Sequence, residues 1–202
     1  NFAEIAIKGR NSMGNTLTKY AVRKIEQRQE GISTLGSLNI WYDETVQRLN
    51  TDERGVLLGA FSGTDRIITV MQSGHYRLNS FDLSTHFDED MILIEKYNPE
   101  RVYTAIYQEN DSKQYYIKRF KAEMTDKKLE FVDGHDKLIL FTADPWPKLE
   151  LNFDMKLKTK GNEQEEIVVH EFIGVKGYKA KGKRITVHPV KKLVWLEPLL
   201  VV

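Results

Sequence analysis

The sequence predicts an all-β chain built from repeated hairpins. Three observations carry this. Short runs rich in β-branched and aromatic residues recur, each followed by a polar turn and an alternating partner run. Helix patterns are scarce: Ala21 to Glu30 holds helix-forming residues, but its apolar spacing is poor and Gly31 follows. Two segments 168 residues apart also share a skeleton. Ile5-Ala6-Ile7-Lys8-Gly9, four residues, Gly14, two residues, Leu17-Thr18 matches Ile173-Gly174-Val175-Lys176-Gly177, four residues, Gly182, two residues, Ile185-Thr186.

Taken in order, the first of these matched segments is the first expected hairpin, and Leu35 to Tyr42 reads as a further strand. Arg66 to Met71 leads through Gln72-Ser73-Gly74 into His75 to Leu78 and Phe81. Met91 to Tyr97 is another strand. Val102 to Tyr107 leads through Glu109-Asn110-Asp111 into Gln114 to Phe120. Leu138 to Thr142 leads through Asp144-Pro145-Trp146-Pro147 into Leu149 to Phe153. The second matched segment closes the series. Polar turn formers between apolar alternating runs are the physical signature of strand–turn–strand. Tyr20, Phe81, Phe120 and Phe153 each end an alternating run and are expected at equivalent core positions. From Ile5 to Ile173 the offset is 168 residues, or 42 per step over four steps. That lies near the ~40–50 residues of a propeller-type blade. About four or five blades are expected, and Thr159 to Asn162 reads as a loop tip inside the array.

Composition sets limits on function. The chain has 202 residues, 41% of them hydrophobic, enough for a substantial core. No cysteine is present, which excludes a disulfide framework and thiolate metal sites and fits a reducing cytosol. No apolar run reaches the ~18 residues of a membrane span, and no signal peptide is visible. The chain starts at Asn1 within strand-like sequence, which reads as a fragment of something longer. Lys and Arg number 30 against 29 acids, for a net charge of +1. The distribution matters more than the sum. Acids concentrate in Asp43 to Glu53, Asp82 to Glu95 and Glu163 to Glu171. Ile5 to Ile25 instead carries Lys8, Arg10, Lys19, Arg23 and Lys24 with no acid. Phe172 to Leu196 carries Lys176, Lys179, Lys181, Lys183, Arg184, Lys191 and Lys192, again with none.

Catalytic motifs fail on inspection. Gly177 to Lys183 fits a phosphate-binding loop as far as its lysine, but Arg184 stands where Ser or Thr must hold magnesium, and strand sequence follows where a helix is needed. His170-Glu171 opens like a zinc-protease helix, but Gly174 replaces the second histidine. The remaining histidines, at 75, 86, 135 and 188, lack ligand spacing. Asp88-Glu89-Asp90 reads as a solvated turn. The chain itself is expected to hold no cofactor and to catalyse nothing. Binding remains. Lys and Arg on hairpin edges neutralise phosphates and release counterions, which holds duplex DNA without reading bases. Arg77, Lys118 and Arg119 lie at related hairpin positions and join the candidate contacts. The competing reading is a propeller-like protein-interaction scaffold whose edge charges keep strands from aggregating.

At these residues a family resemblance enters. Ile7 to Tyr20, Gly31 to Gly36, Val46 to Asn50, Tyr115 to Phe120 and Phe172 to Gly182 resemble the C-terminal domain of a bacterial type IIA topoisomerase A subunit, of the topoisomerase IV or gyrase-A-like kind. The resemblance covers nearly the whole chain. It implies a β-pinwheel, residues 1–202 forming a single such domain or a fragment of a larger one. Blades exchange strands with their neighbours, and a basic perimeter bends duplex DNA. It implies partners: DNA, the N-terminal breakage-reunion part of the same subunit, and the ATPase B subunit. ATP and magnesium would act on those other parts. The family's cleavage tyrosine follows an arginine, and no Arg-Tyr pair occurs here. The setting implied is the bacterial cytoplasm, at the nucleoid. Gyrase A subunits also carry a Gln-Arg-Arg-Gly-Gly-Lys-Gly box. The nearest stretch here, Gln27-Arg28-Gln29-Glu30-Gly31-Ile32-Ser33, lacks the second arginine and the lysine. That favours topoisomerase IV-like bending over gyrase-like wrapping.

Overall fold

The computed structural model describes residues 9–14, 16, 18–24, 37–154 and 163–198. The chain divides into two compact units, Asn1–Ser33 and Thr34–Val202. Lys8, the Gln27–Ser33 stretch and the Thr159–Asn162 loop tip lie outside the described residues. In the first unit, the described residues form turns and irregular chain. The Ser12 N–H donates to the Gly9 carbonyl at 2.9 Å. Tyr20 is 86% exposed there, so it is not the core aromatic expected from its place in the sequence.

The second unit is all-β. Strands β1 (Leu38–Asp43) and β2 (Arg48–Asn50) form a hairpin, and β3 (Val56–Phe61) joins the other side of β1. Strands β4 (Ile67–Met71) and β5 (His75–Asn79) form the next hairpin, with β6 (Met91–Lys96) on β4. A third hairpin pairs β7 (Val102–Gln108) with β8 (Tyr115–Lys121). The chain then returns to β5 with β9 (Leu129–Glu130) before β10 (Lys137–Thr142) joins β7. The last hairpin pairs β11 (Lys148–Phe153) with β12 (Gln164–Val168), and the short helix α1 (Val169–Phe172) follows. The chain returns once more to lay β13 (Val175–Lys176) and β14 (Lys183–Arg184) on β8, and β15 (Val190–Leu196) completes the sheet on β11. The result is four open antiparallel sheets, with one parallel contact at β13. Among the described residues α1 is the only helix, and none is long and apolar enough to cross a membrane.

The four sheets repeat one plan. Each has a hairpin with a third strand on its first strand. In every case that third strand carries one extra residue: Leu58, Ile92, Ile139 and Lys191. Such bulges bend the strand and pin its register. They fall opposite Ile40/Trp41, Val70/Met71, Ile106/Tyr107 and Asn152/Phe153, so these pairs are equivalent. The steps between them are 30, 36 and 46 residues, which explains why an even period fits the sequence poorly. Neighbouring sheets also exchange chain. Before β6, His86 bridges Arg48 of β2, and the Phe87 N–H donates to the Gln47 carbonyl at 3.0 Å. Strand β9 does the same for β5, and β13 and β14 for β8.

Period-two alternation places the core. Ile67 packs with Ile40, Tyr42, Phe61 and Phe87, while its neighbours Ile68 and Val70 turn the other way to meet Tyr103, Ala105 and Phe120. Ile106 and Ile117 face Leu149, Leu151 and Ile167. Central strands read as unbroken apolar runs because both faces are covered.

Two expected hairpins are corrected. Leu138–Thr142 and Leu149–Phe153 are strands, but they lie in different sheets, β10 on β7 and β11 beside β12. Pro145 and Pro147 between them lack N–H groups for a ladder, and the chain uses that stretch to cross between sheets. The second matched segment is likewise no self-paired hairpin, since β13 and β14 each pair with β8. The hairpins actually formed at Tyr42–Asn50 and at Phe153–Gln164 carry weaker local signals, the first split by a polar turn containing Gln47 at φ 53.

Candidate nucleic-acid interface

The first part of the second basic stretch, Val175 to Arg184, becomes a ribbon laid along β8, while Lys191 and Lys192 belong to β15 on β11. The ribbon is pinned from below by three residues. Tyr178 is 5% exposed and meets the Tyr76 ring edge-on at 5.8 Å. The Gly182 N–H donates to the Tyr107 hydroxyl at 3.1 Å, and a Cβ there would stand 2.8 Å from the Ile117 carbonyl oxygen. Ile185 is buried, its N–H donating to the Tyr115 carbonyl at 2.9 Å. Glycine at 182 is therefore a packing requirement, because the ribbon's backbone sits directly on that of β8.

Pinning these residues leaves the cations between them outward. Lys176, Lys179, Lys181, Lys183 and Arg184 are exposed. Their surroundings differ. Lys181 forms an ion pair with Glu109 at 2.7 Å and lies 4.9 Å over the Tyr116 ring. The hydrogen bond to Glu109 raises the pKa of Lys181 and lowers that of Glu109. Lys183 donates to the Phe172 carbonyl at 3.0 Å and stands 3.8 Å over its ring. Arg184 donates from Nε to the Thr186 carbonyl at 3.2 Å. Lys179 lies 5.6 Å over the Tyr178 ring, so its charge has an aromatic face behind it and water in front. Gly177 to Gly182 form the turn between β13 and β14, Lys183 opens β14, and the helix α1 ends before them at Phe172.

Lys118 and Arg119 are corrected as surface contacts. Both sit on β8 within a Tyr-Tyr-Ile-Lys-Arg-Phe run covered on both faces, and they are 5% and 7% exposed. The Lys118 ammonium donates to the Phe131 and Tyr178 carbonyls, each at 2.6 Å. Burial lowers its pKa to about 8. Arg119 donates to the Ile173 carbonyl at 3.4 Å and the Pro145 carbonyl at 3.1 Å, and burial lowers its pKa as well. Alternation turns Lys118 and Arg119 to opposite faces of β8, and because both faces are covered neither side chain reaches water. Each instead holds returned or crossing chain in place. The bulge register makes Arg77 the counterpart of Lys118, since Arg77 pairs with Thr69 as Lys118 pairs with Ala105. Arg77, unlike Lys118, is exposed.

Of the remaining expected contacts, Arg10, Lys19, Arg23 and Lys24 are exposed residues of the first unit. Sequence reasoning missed Glu109. It lies 72 residues from Lys181, and nothing local links the two.

The family model for the topoisomerase C-terminal domain of Bacteroidota matches residues 48–197. The A subunit of DNA topoisomerase 4 from Borreliella burgdorferi is 27% identical over 194 residues, covering 88% of this chain and 29% of that protein. The chain thus spans less than a third of that relative's length.

Proposed function

Because the chain belongs to the bacterial topoisomerase C-terminal domain family, we propose that it grips and bends duplex DNA without sequence preference and presents it to the breakage-reunion core of a type IIA topoisomerase. The strand-exchanging sheets are blades of a β-pinwheel, and their outer ribbons meet the DNA. The observation that carries this reading is the ribbon on β8, whose anchors Tyr178, Gly182 and Ile185 leave Lys176, Lys179, Lys183 and Arg184 facing solvent. A fixed row of cations costs little further ordering when phosphates arrive, and it attracts them through counterion release. Arg77 extends the contact on the second sheet, and Lys8, Arg10, Lys19, Arg23 and Lys24 supply the same chemistry from the first unit. The resemblance to a topoisomerase IV A subunit, together with the missing Arg and Lys of the gyrase box, supports bending over chiral wrapping. The breakage-reunion core, the ATPase B subunit, ATP and magnesium belong to the parent complex in this reading.

The test is a salt titration of affinity for unrelated duplexes, paired with a bending assay. A log–log slope of roughly −3 to −6 is expected, from about −0.9 per phosphate neutralised. A flat salt dependence, or no bending at saturation, would instead support the scaffold reading.

A further inference from the structure

The second and third sheets carry equivalent returned chains that are seated differently. Leu129 of β9 pairs with Tyr76 as Lys183 of β14 pairs with Ile117, and the bulge register makes Tyr76 and Ile117 equivalent. Five residues before Leu129 and Lys183 stand Met124 and Tyr178. Tyr178 is a buried anchor whose carbonyl accepts from Lys118, whereas Met124 is 66% exposed. Phe87 precedes β6 as Phe131 precedes β10, each buried and each donating its N–H to a hairpin turn, at Gln47 and Gly74. The Phe131 carbonyl is held by Lys118. Arg77, the counterpart of Lys118, is exposed, and its guanidinium forms no hydrogen bond or ion pair among the described residues. Where the third sheet is fastened, the second keeps a cleft of about 480 Å³ between β5, residues 85–88 and Asp126 of the returned chain. We propose that this cleft is a phosphate subsite, in which the Arg77 guanidinium takes a phosphodiester of the bound duplex. The inference rests on the DNA-binding reading above.

The lining selects the ligand. Arg66 and Arg77 both border the cleft. Two guanidinium groups at one space are best reconciled by an anion between them, and their planar forks match phosphate oxygens two at a time. Arg66 uses one nitrogen, Nη1, on the Thr64 and Asp65 carbonyls at 3.2 and 3.4 Å. Ser80 and Thr85 bring hydroxyls to the same cleft, which can donate to the remaining oxygens. Asp88 and Asp126 border it too, and neither forms an ion pair with either arginine among the described residues. These carboxylates oppose an anion and favour a cation, so the sign of their effect on binding identifies the ligand. A phosphate drawn into a cleft also loses more water than one resting on an open surface, and each hydrogen bond it keeps then counts for more. Together with the ribbon on β8, the subsite holds the duplex on two neighbouring sheets.

The test measures affinity of the full chain for a short duplex against salt, in the parent and in four variants. Arg77→Ala should weaken binding about tenfold and flatten the salt slope by about one unit. Arg77→Lys keeps the charge but loses the fork, and should still weaken binding about threefold or more. Ser80→Trp should fill the cleft with Arg77 intact and weaken binding as Arg77→Ala does. Asp126→Asn should tighten binding about threefold, because the carboxylate it removes repels phosphate. All three positions are exposed, so circular dichroism and melting temperature should match the parent. If Ser80→Trp fails to fold, Arg77→Lys and Asp126→Asn decide the question. Parent-like affinity in Arg77→Lys and Ser80→Trp would reduce Arg77 to an ordinary edge charge, overturning the subsite while the DNA reading stands. Weaker binding by Asp126→Asn would mark the cleft as a site for a basic group and overturn it as well. A parent that shows no salt-dependent binding would overturn the DNA reading, and the subsite with it.

Discussion

Lys118 is tied to Tyr178 across 60 positions of sequence, its buried ammonium donating to the Tyr178 carbonyl at 2.6 Å. The same nitrogen reaches the Phe131 carbonyl at the same distance. One side chain on β8 thus fastens both the segment next to β9 and the turn of the basic ribbon. A lysine that looks like a DNA contact is a clasp between exchanged strands.

Lys118→Ala should therefore destabilise the fold by about 2–4 kcal/mol, because two buried carbonyls lose a charged donor and a cavity is left. Denaturant unfolding measures this. Arg119→Ala should act in the same direction through the Ile173 and Pro145 carbonyls. Lys176→Ala and Lys179→Ala should leave the unfolding midpoint unchanged, since both are exposed. If all four variants unfold alike, the division into clasps and contacts is wrong.

The Lys118 clasp also predicts a pH dependence. Its folded pKa, about 8, lies below the usual 10.5. Between those values the unfolded chain binds the proton and the folded chain does not, so the stability of the native protein rises with pH in that window. Below pH 8 both states are protonated and the cost of burying the charge is felt in full. The stability of the native protein relative to Lys118→Met should increase from pH 8 to pH 10. A difference that stays flat over that range would show that Lys118 remains charged.

Glu109 restrains the basic ribbon by holding Lys181. Glu109→Gln should release that cation, raise affinity for duplex DNA and steepen the salt slope by up to about one unit. The triple variant of Lys179, Lys181 and Lys183 to alanine should do the opposite. It should weaken binding to unrelated sequences equally and flatten the slope by up to roughly 2–3 units. Unchanged affinity in both, with folding intact, would remove the ribbon from the DNA path.

Gly182→Ala tests the seat of the ribbon. Its Cβ would meet the Ile117 carbonyl oxygen at 2.8 Å and the Tyr107 ring at 3.1 Å, so the ribbon must lift from β8. A loss of about 1–3 kcal/mol is expected from such overpacking, together with weaker DNA binding. Gly177→Ala, where a Cβ meets nothing within 4 Å, is the matched control and should be nearly silent.

By itself the sequence determined the all-β class, the strands at β1, β4, β5, β6, β7, β8, β10 and β11, and the two acid-free basic stretches. Those features are local: alternation, β-branched content, turn residues and charge runs are written within a few positions of one another. The tertiary structure alone decided which strands pair and which cations reach water. Leu138–Thr142 and Leu149–Phe153 look like a hairpin because hairpin signals are local, while their true partners lie some 30 and 10 or more residues away. Lys118 and Arg119 look like a basic patch because charge is visible in sequence and burial is not. Their acceptors, at Phe131, Pro145, Ile173 and Tyr178, are placed by strand exchange. A buried cation is tolerated where carbonyls converge on it, and that convergence exists only once neighbouring sheets have traded chain.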